Sequence, residues 1–491
     1  MNALLLYPEF PDTFWSFKHA VKFIGRKAAL PPLGLLTVAA MLPEEWNLRL
    51  VDMNVSKLTE DYLAWADCAF MSAMVVQRSS AKELIARCNA AKVPVIAGGP
   101  LFTEESEQFS DVDHLVLGEA EEILPRFLAD FMAGSAGHIY RASGFPDVRT
   151  TPIPRWDLLE MRQYVAMAVQ FSRGCPYDCE FCDITVLFGR RPRVKTPEQM
   201  IAELDALWRA GWRKGIFFVD DNFIGNRPYL KEVFLPALIE WRHSTGRTNY
   251  FFTEATLNLA DDEALVRQMV AAGFNWVFVG IETPEHEGLV ECNKLQNTRR
   301  DLLQSVRILQ NAGLEVQAGF IVGFDSDTPS IFKRQLQFIQ KSGIVTAMVG
   351  VLQAFPGTRL YRRMQAEGRL KDVVSGDNVD GTTNIVPSMS LEVLRAGHRW
   401  LVNRIYDPKH YYHRVRTLLR EYNPPRVKNA FDLQHFFALW RSFLYIGILG
   451  RERLYYWGLL IWMLFRRPRL FSIGVKHAIY GYHFRKVCNN K

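Results

Sequence analysis

The pattern of apolar and polar positions changes character twice along the 491 residues. Up to about residue 140, short apolar runs at 3–7, 48–52, 68–74, 94–97 and 114–117 have the length of buried strands. Between them, stretches at 33–41, 80–91 and 121–132 repeat apolar residues at helical spacing. Strand and helix in alternation predict a doubly wound parallel sheet. The alternation returns six times between 160 and 365, with strands predicted at 165–171, 215–220, 249–254, 275–281, 314–322 and 346–353. Amphipathic stretches follow the first five, near 196–210, 229–243, 261–272, 298–312 and 329–342, and a shorter helical signal follows the sixth. Six such units make a partial barrel. Gly144, Pro146, Pro152 and Pro154 mark a linker between the two units. From residue 366 the pattern is helical and rich in aromatics. The expected fold class is therefore α/β: a Rossmann-like domain over 1–140, a linker over 141–160, a partial (β/α)6 barrel over 161–365 and a mainly helical region over 366–491.

Open parallel sheets hold ligands beyond the carboxyl ends of their strands. In the first sheet those ends bring Pro8, residues 52–54, Ser72, Gly98 with Gly99, and Gly118 with Glu119. Glycines at two of five ends permit close backbone approach to a bulky ligand. Many such sheets bind only nucleotides, or nothing. The barrel ends carry more chemistry: Asp220 and Asp221, Glu254, Glu282, Gly319 to Gly323 in sequence, and Gln353. After the first barrel strand come Cys175, Cys179 and Cys182, with Phe181 just before the last. Three thiolates leave a 4Fe-4S cluster one ligand short, so one iron stays open to a small molecule. Zinc would require a fourth Cys or His, and the nearest histidines are the distant His138 and His243. The remaining cysteines, Cys68, Cys88, Cys292 and Cys488, stand singly in apolar or terminal segments and read as inert thiols. A reducing cytosol fits that usage.

Charge separates the tail from the rest. Residues 407–491 carry 16 Lys and Arg against 4 Asp and Glu, while the first 406 carry 43 against 48. An apolar run at 454–465 lies between Arg451 and Arg453 on one side and Arg466, Arg467 and Arg469 on the other. Spanning a bilayer takes about 20 apolar residues. The run is thus either a core helix or a segment dipping into an anionic lipid interface, with Trp457 and Trp462 suited to the second. Nucleic acid is the poorer match for arginines around an apolar helix. Residues 1–8 lack the basic flank and apolar length of a signal peptide, so a cytosolic chain is expected. The basic run 190–195 reads as a solvated loop, with anion binding as the alternative, and Thr196 as a helix N-cap.

The Cys-x-x-x-Cys-x-x-Cys spacing with its aromatic resembles the S-adenosylmethionine radical enzymes. That resemblance implies that the open iron chelates the amino and carboxylate groups of S-adenosylmethionine, and that an electron from the cluster cleaves it to a 5'-deoxyadenosyl radical. It places Asp220 and Asp221 at the methionine ammonium, Glu254 and Glu282 at ribose or amino groups, and Phe181, Gly319 and Gly323 around the adenine. A parallel-sheet domain ahead of the barrel resembles the cobalamin-binding subclass, which makes Pro8, Ser72, Gly98, Gly99, Gly118 and Glu119 candidate cobalamin contacts. The Asp-x-His-x-x-Gly motif for the cobalt ligand is absent: Asp52-Met53-Asn54-Val55 has no His. Many radical relatives likewise hold cobalamin without a protein histidine. The segments Cys182-Asp183-Ile184, Lys195-Thr196-Pro197-Glu198-Gln199, Phe218-Val219-Asp220-Asp221-Asn222-Phe223-Ile224-Gly225-Asn226, Glu254-Ala255-Thr256-Leu257-Asn258 and Gly280-Ile281-Glu282-Thr283-Pro284 are similar to those of the hopanoid methylase group. The C-terminal region of that group is usually called a domain of unknown function.

The resemblance implies methylation of an unactivated carbon on a hydrophobic, lipid-like substrate by means of the deoxyadenosyl radical and methylcobalamin. A reductant such as flavodoxin or ferredoxin is expected with it; the cysteine usage puts the enzyme in the cytosol, and the interface reading of the run 454–465 would make it peripheral to the inner membrane surface. The rival readings are radical oxidation or cyclisation of a lipid or tetrapyrrole, a thiomethyl or RNA-modifying radical enzyme, and a non-catalytic iron-sulfur or lipid-binding scaffold.

Overall fold

The computed structural model describes residues 1–424 and 433–489. The first sheet contains β1 (Asn2–Tyr7), β2 (Asn47–Asp52), β3 (Cys68–Ser72), β4 (Val95–Gly98), β5 (His114–Leu117) and β6 (Ile139–Arg141). All pairs are parallel, in the order β2-β1-β3-β4-β5-β6. Leu4, Leu6, Ala69 and Met71 pack into the core on one face, and Ala3, Leu5, Cys68 and Phe70 into the core on the other. Burial on both faces is why these strands read as unbroken apolar runs. The sixth strand carries no such run, since only Tyr140 of its three residues is buried, and it extends the sheet into the expected linker. Strand order reverses between β1 and β3, which opens a crevice at Pro8 and Ser72.

The second unit contains β7 (Met167–Val169), a short ribbon of β8 (Ser172–Arg173) and β9 (Arg193–Val194), then β10 (Ile216–Phe218), β11 (Phe251–Ala255), β12 (Phe274–Glu282), β13 (Glu315–Val322) and β14 (Ala347–Val351). β7 and β10 to β14 form one open parallel sheet in chain order, as a six-unit partial barrel requires. Phe218, Phe251, Val277, Val279 and Phe320 pack outward beneath the helices. The two-residue repeat of a strand turns Phe217, Phe252, Trp276 and Phe278 to the concave side. There Phe252 stacks on Trp276 at 4.2 Å and on Phe217 at 5.0 Å. Thr196 does cap its helix, Pro197–Arg209, by accepting the Gln199 N–H at 3.2 Å.

The helical region wraps the barrel from outside and below. Lys476, on the last helix Phe471–Asn489, pairs at 2.6 Å with the buried Glu315 at the amino-terminal end of β13, so this helix closes the barrel base. The loop after β1 is clamped between the same helix and the barrel. Phe14 stacks on Phe484 at 4.3 Å, while the Trp15 ring meets Phe278 edge-on at 5.2 Å and its N–H donates to Met348 Sδ at 3.0 Å. The apolar run 454–465 divides between environments: Tyr456, Leu459, Leu460 and Met463 are buried, whereas Leu454, Ile461 and Phe465 are exposed. Among the described residues no helix is long and apolar enough to cross a membrane.

Candidate active site

The cysteine loop leaves the barrel through the neck formed by β8 and β9. Gly174 opens it with φ +91°, and a Cβ there would lie 2.9 Å from the carbonyl oxygens of Phe188 and Gly189. Only glycine fits that turn. Asp220, fully buried, accepts the N–H of Phe171 at 3.2 Å, the N–H of Ser172, and the Ser172 hydroxyl at 2.6 Å. Both its oxygens are therefore committed to the backbone that launches the loop. Burial pushes its carboxyl up to about 7 despite those donors. The neighbouring Asp221 accepts the Gly174 N–H at 3.3 Å.

Cys179 is buried and Cys175 and Cys182 are partly exposed. The Asn222 and Gln296 amides approach Cys175 and Cys179 Sγ, each at 3.9 Å. The Glu180 N–H donates at 2.9 Å to the carbonyl of Cys292, so this cysteine supports the loop through its backbone. Burial drives the Cys182 thiol well above its ordinary range, and a bare thiolate here is unfavourable without a cationic centre. Among the described residues no three His, Cys, Asp or Glu side chains converge on one ion. A cluster takes each thiolate on a separate iron, so this donor set suits a cluster better than zinc.

Asp221, in the loop after β10, and Glu254, on β11, lie within electrostatic reach of one another. The Glu254 carboxyl has no hydrogen-bond partner among the described residues, and burial, then Asp221 and Asp220, raise it to about 8. Burial raises Asp221 to about 7. Desolvated carboxyls without a cation of their own are electrostatically suited to a positively charged group. Glu282 differs. It sits at φ +66° with its carboxylate 2.7 Å from the buried Lys294 ammonium. Gly319 lies on β13 against Phe278, and Gly323 follows that strand at φ +103° with its N–H donating to Asp327 at 2.8 Å. Phe181 packs beside Cys292, Phe324 and Leu352.

At the first sheet, the Pro8 carbonyl accepts from the Gln77 amide at 2.5 Å and the Asn54 amide at 3.2 Å. Ser72 and Gly99 touch closely: a Cβ on Gly99 (φ +90°) would lie 2.6 Å from Ser72 Oγ. A Cβ on Gly98 would meet the Val116 carbonyl at 2.7 Å, and one on Gly118 the Ala142 side chain at 2.9 Å. These glycines thus admit neighbouring protein as well as leaving the crevice clear. Asp52, at the head of the histidine-less motif, accepts the Tyr164 hydroxyl at 2.9 Å and the Asn54 amide at 2.7 Å.

Glu119 turns away from the crevice to the barrel. It accepts from Arg173 at 2.6 Å and Arg193 at 2.5 Å, and Arg173 also pairs with Glu121 at 2.7 Å. All four side chains are largely buried. Arg193 and Lys195, from the run read as a solvated loop, are therefore interior groups, Lys195 paired with Glu203; only Arg190 and Arg191 face solvent. Arg173, Glu121, Lys294, Asn222 and Gln296 were not among the candidates. Of these, Arg173 and Asn222 had a local signal, one being two residues before Cys175 and the other following the Asp pair. The two strand-end mouths are further tied by the chain after the barrel, where Arg78 donates to the Val374 carbonyl at 2.9 Å.

A parallel sheet with its crevice turned to a barrel whose first loop offers three thiols defines a cobalamin-dependent radical S-adenosylmethionine enzyme. Family profiles agree segment by segment: the B12 binding domain over residues 24–128, the radical SAM superfamily over 169–339 and a domain of unknown function (DUF4070) over 358–491. The chain is 41% identical to an uncharacterized methyltransferase of Synechocystis sp., across 99% of this chain and 91% of that protein. It is 36% identical to the hopanoid C-2 methylase of Rhodopseudomonas palustris, across 93% of this chain and 88% of that protein. Among solved structures, the cobalamin-dependent S-adenosylmethionine radical enzyme OxsB with aqua-cobalamin bound shares the fold, with a TM-score of 0.66 at 15% identity over 99% of this chain and 79% of that chain. The protein belongs to the cobalamin-dependent radical S-adenosylmethionine methyltransferase family, and its cofactors are a 4Fe-4S cluster, S-adenosylmethionine and cobalamin.

Proposed function

We propose that this protein methylates an unactivated carbon of a hydrophobic, polycyclic lipid of the hopanoid kind. The observation that carries the reading is the concave side of the barrel. Between the acidic mouth and the closed base, its wall is formed by Phe217, Phe252, Trp276 and Phe278, with Trp15 and Met348 beside them. Flat rings at this density suit a rigid apolar skeleton and offer few partners to a polar one. The identity with the hopanoid C-2 methylase supports the same substrate class.

When bound, the three cofactors supply a hydrogen-abstracting carbon radical and a transferable methyl group. The chain's own residues supply placement. Cys175, Cys179 and Cys182 hold the cluster, on a loop fixed by Asp220 and Gly174. Asp221 and Glu254 receive the cationic groups of S-adenosylmethionine, Lys294 with Glu282 sets the charge beside them, and Gly319, Gly323 and Phe181 border the adenine. Pro8, Ser72, Gly98 and Gly99 line the cobalamin crevice, with Gly118 one strand further out. Glu119 acts differently, by locking the two mouths together through Arg173 and Arg193. A reductant of the flavodoxin or ferredoxin type delivers the electron.

Anaerobic incubation of the reconstituted protein with reductant, S-adenosylmethionine and a hopanoid extract tests the reading by product mass. A gain of one methylene unit, with formation of deoxyadenosine, is the expected result. Deoxyadenosine formed with an oxidised or cyclised product and no methyl gain would overturn it.

A further inference from the structure

The helical region leaves one large apolar surface uncovered. In the helix Leu433–Ser442 and the turn of π-helix Phe443–Ile448 that continues it, Phe437, Trp440, Leu444 and Ile448 are exposed at intervals of three to four residues. The next helix, Arg453–Arg466, exposes Leu454, Trp457, Ile461 and Phe465 with the same periodicity. Its opposite face is already covered, with Tyr456, Leu459, Leu460 and Met463 buried against the rest of the protein. The two elements form one body. Phe443 stacks on Trp457 at 5.5 Å, the Trp457 N–H donates to the Gly447 carbonyl at 3.0 Å, and the Ser442 and Tyr456 hydroxyls lie 2.7 Å apart. Leu454 at 80% and Phe465 at 83% exposure are more solvated than any ordinary surface apolar residue needs to be.

The charges around this surface select its occupant. Arg451 and Arg453 stand at one end and Arg466 and Arg469 at the other, all exposed and without a carboxylate partner among the described residues. A core helix of another protein would bury apolar side chains but gain nothing from four unpaired guanidinium groups at the edge. A bilayer interface satisfies both, taking the apolar face among its acyl chains and the arginines among anionic headgroups. The Trp and Tyr side chains, apolar in body and polar at the tip, fit the boundary between the two. The hairpin lies on its side, since neither helix has the length to span.

We propose that the helical hairpin 436–466 docks the protein on an anionic membrane, with the face bearing Trp440, Leu454 and Phe465 inserted to headgroup depth. The docked hairpin is joined to the barrel interior by a short path: Arg441 donates to the Lys22 carbonyl at 2.7 Å and Tyr445 packs on Phe23, in the same segment that carries Trp15. The docking rests on exposure and charge alone and stands whatever the substrate proves to be.

Flotation of the full-length, cofactor-reconstituted protein with vesicles tests it. Binding to phosphatidylcholine vesicles containing phosphatidylglycerol is expected to exceed binding to pure phosphatidylcholine by at least about tenfold and to weaken in high salt. The W440S/L454S/F465S variant, with unchanged circular dichroism and iron content, is expected to lose at least about tenfold in partition to either vesicle. The R451E/R453E/R466E variant is expected to lose the preference for the anionic vesicle. Independently of any variant's folding, wild-type tryptophan fluorescence should be quenched by phospholipids brominated near the headgroup. Wild-type protein that floats with neither vesicle, fluorescence indifferent to brominated lipid, or a folded W440S/L454S/F465S variant that binds like wild type would each overturn the proposal. So would a dimer built on this face that binds no vesicle.

Discussion

Replacing Arg173 with methionine tests whether the buried ion-pair network locks the cobalamin sheet to the barrel. In the native protein, burial would raise the Glu121 carboxyl, but Arg173 and the Thr151 hydroxyl outweigh it and hold the group down to about 2. Set against an ordinary value of 4.5, that depression corresponds to about 3 kcal/mol at neutral pH, at about 1.4 kcal/mol per pH unit. Removing one member of a buried pair costs a similar amount, about 3–5 kcal/mol, because the other charge is left without compensation. Arg193 still neutralises Glu119 in the variant, so Glu121 is the orphan and the lower end of that range applies.

R173M should therefore lose about 3 kcal/mol in urea unfolding followed by tryptophan fluorescence. Adding E121Q should restore at least about half of the loss by removing the stranded charge. The sign of the pH dependence follows from the depressed carboxyl: its contribution is complete above about pH 4.5 and disappears as the pH falls toward about 2. The gap between wild type and R173M should be wider at neutral pH than in acid, where it narrows as Glu121 is protonated. A loss within about 0.5 kcal/mol of zero, or a double variant no better than R173M, would refute the reasoning.

Other consequences are measured at the site itself. Gly174→Ala forces a side chain into a left-handed turn against three carbonyl groups, and iron content after reconstitution should fall by more than half while the remaining protein keeps its helical circular dichroism. Asp220→Asn retains the shape but loses an acceptor for three donors, so cluster loading and its visible absorbance should drop, whereas a residue acting only on S-adenosylmethionine would leave both intact. Glu254→Gln should leave cluster absorbance unchanged and weaken S-adenosylmethionine binding by roughly tenfold or more in equilibrium dialysis, the outcome expected on losing a charge-assisted contact. Cys182→Ala should abolish deoxyadenosine formation; normal production would remove the basis of the cluster assignment.

The order of the elements and the three thiols were legible in the chain because both depend on local information. A strand buried on two faces must be apolar for several residues, and helices packed on it must repeat every three to four, so five strands of the first sheet and all six of the barrel stood out. The sixth strand of the first sheet did not, because a short edge segment buries only Tyr140. Cysteine spacing was likewise local, as one short loop must wrap one cluster.

Which partners the carboxylates meet is decided only by the tertiary structure. Asp220 and Asp221 are neighbours in sequence, yet one is fastened by both oxygens to Phe171 and Ser172, while the other accepts a single N–H from Gly174 and lies within electrostatic reach of Glu254. Glu119 lies at a strand end that looked like a cofactor contact, and two arginines from the barrel draw it across the domain boundary. The basic run 190–195 looked solvated because charge in a loop usually is, but β8–β9 pairing carries Arg193 inward to Glu119, distant in the chain, and Lys195 just after the ribbon is buried against Glu203. The apolar run 454–465 carried no mark of which face would be covered, since that depends on the side from which the other helices approach. A sequence records what each residue prefers; partners brought from far along the chain decide which preference is met.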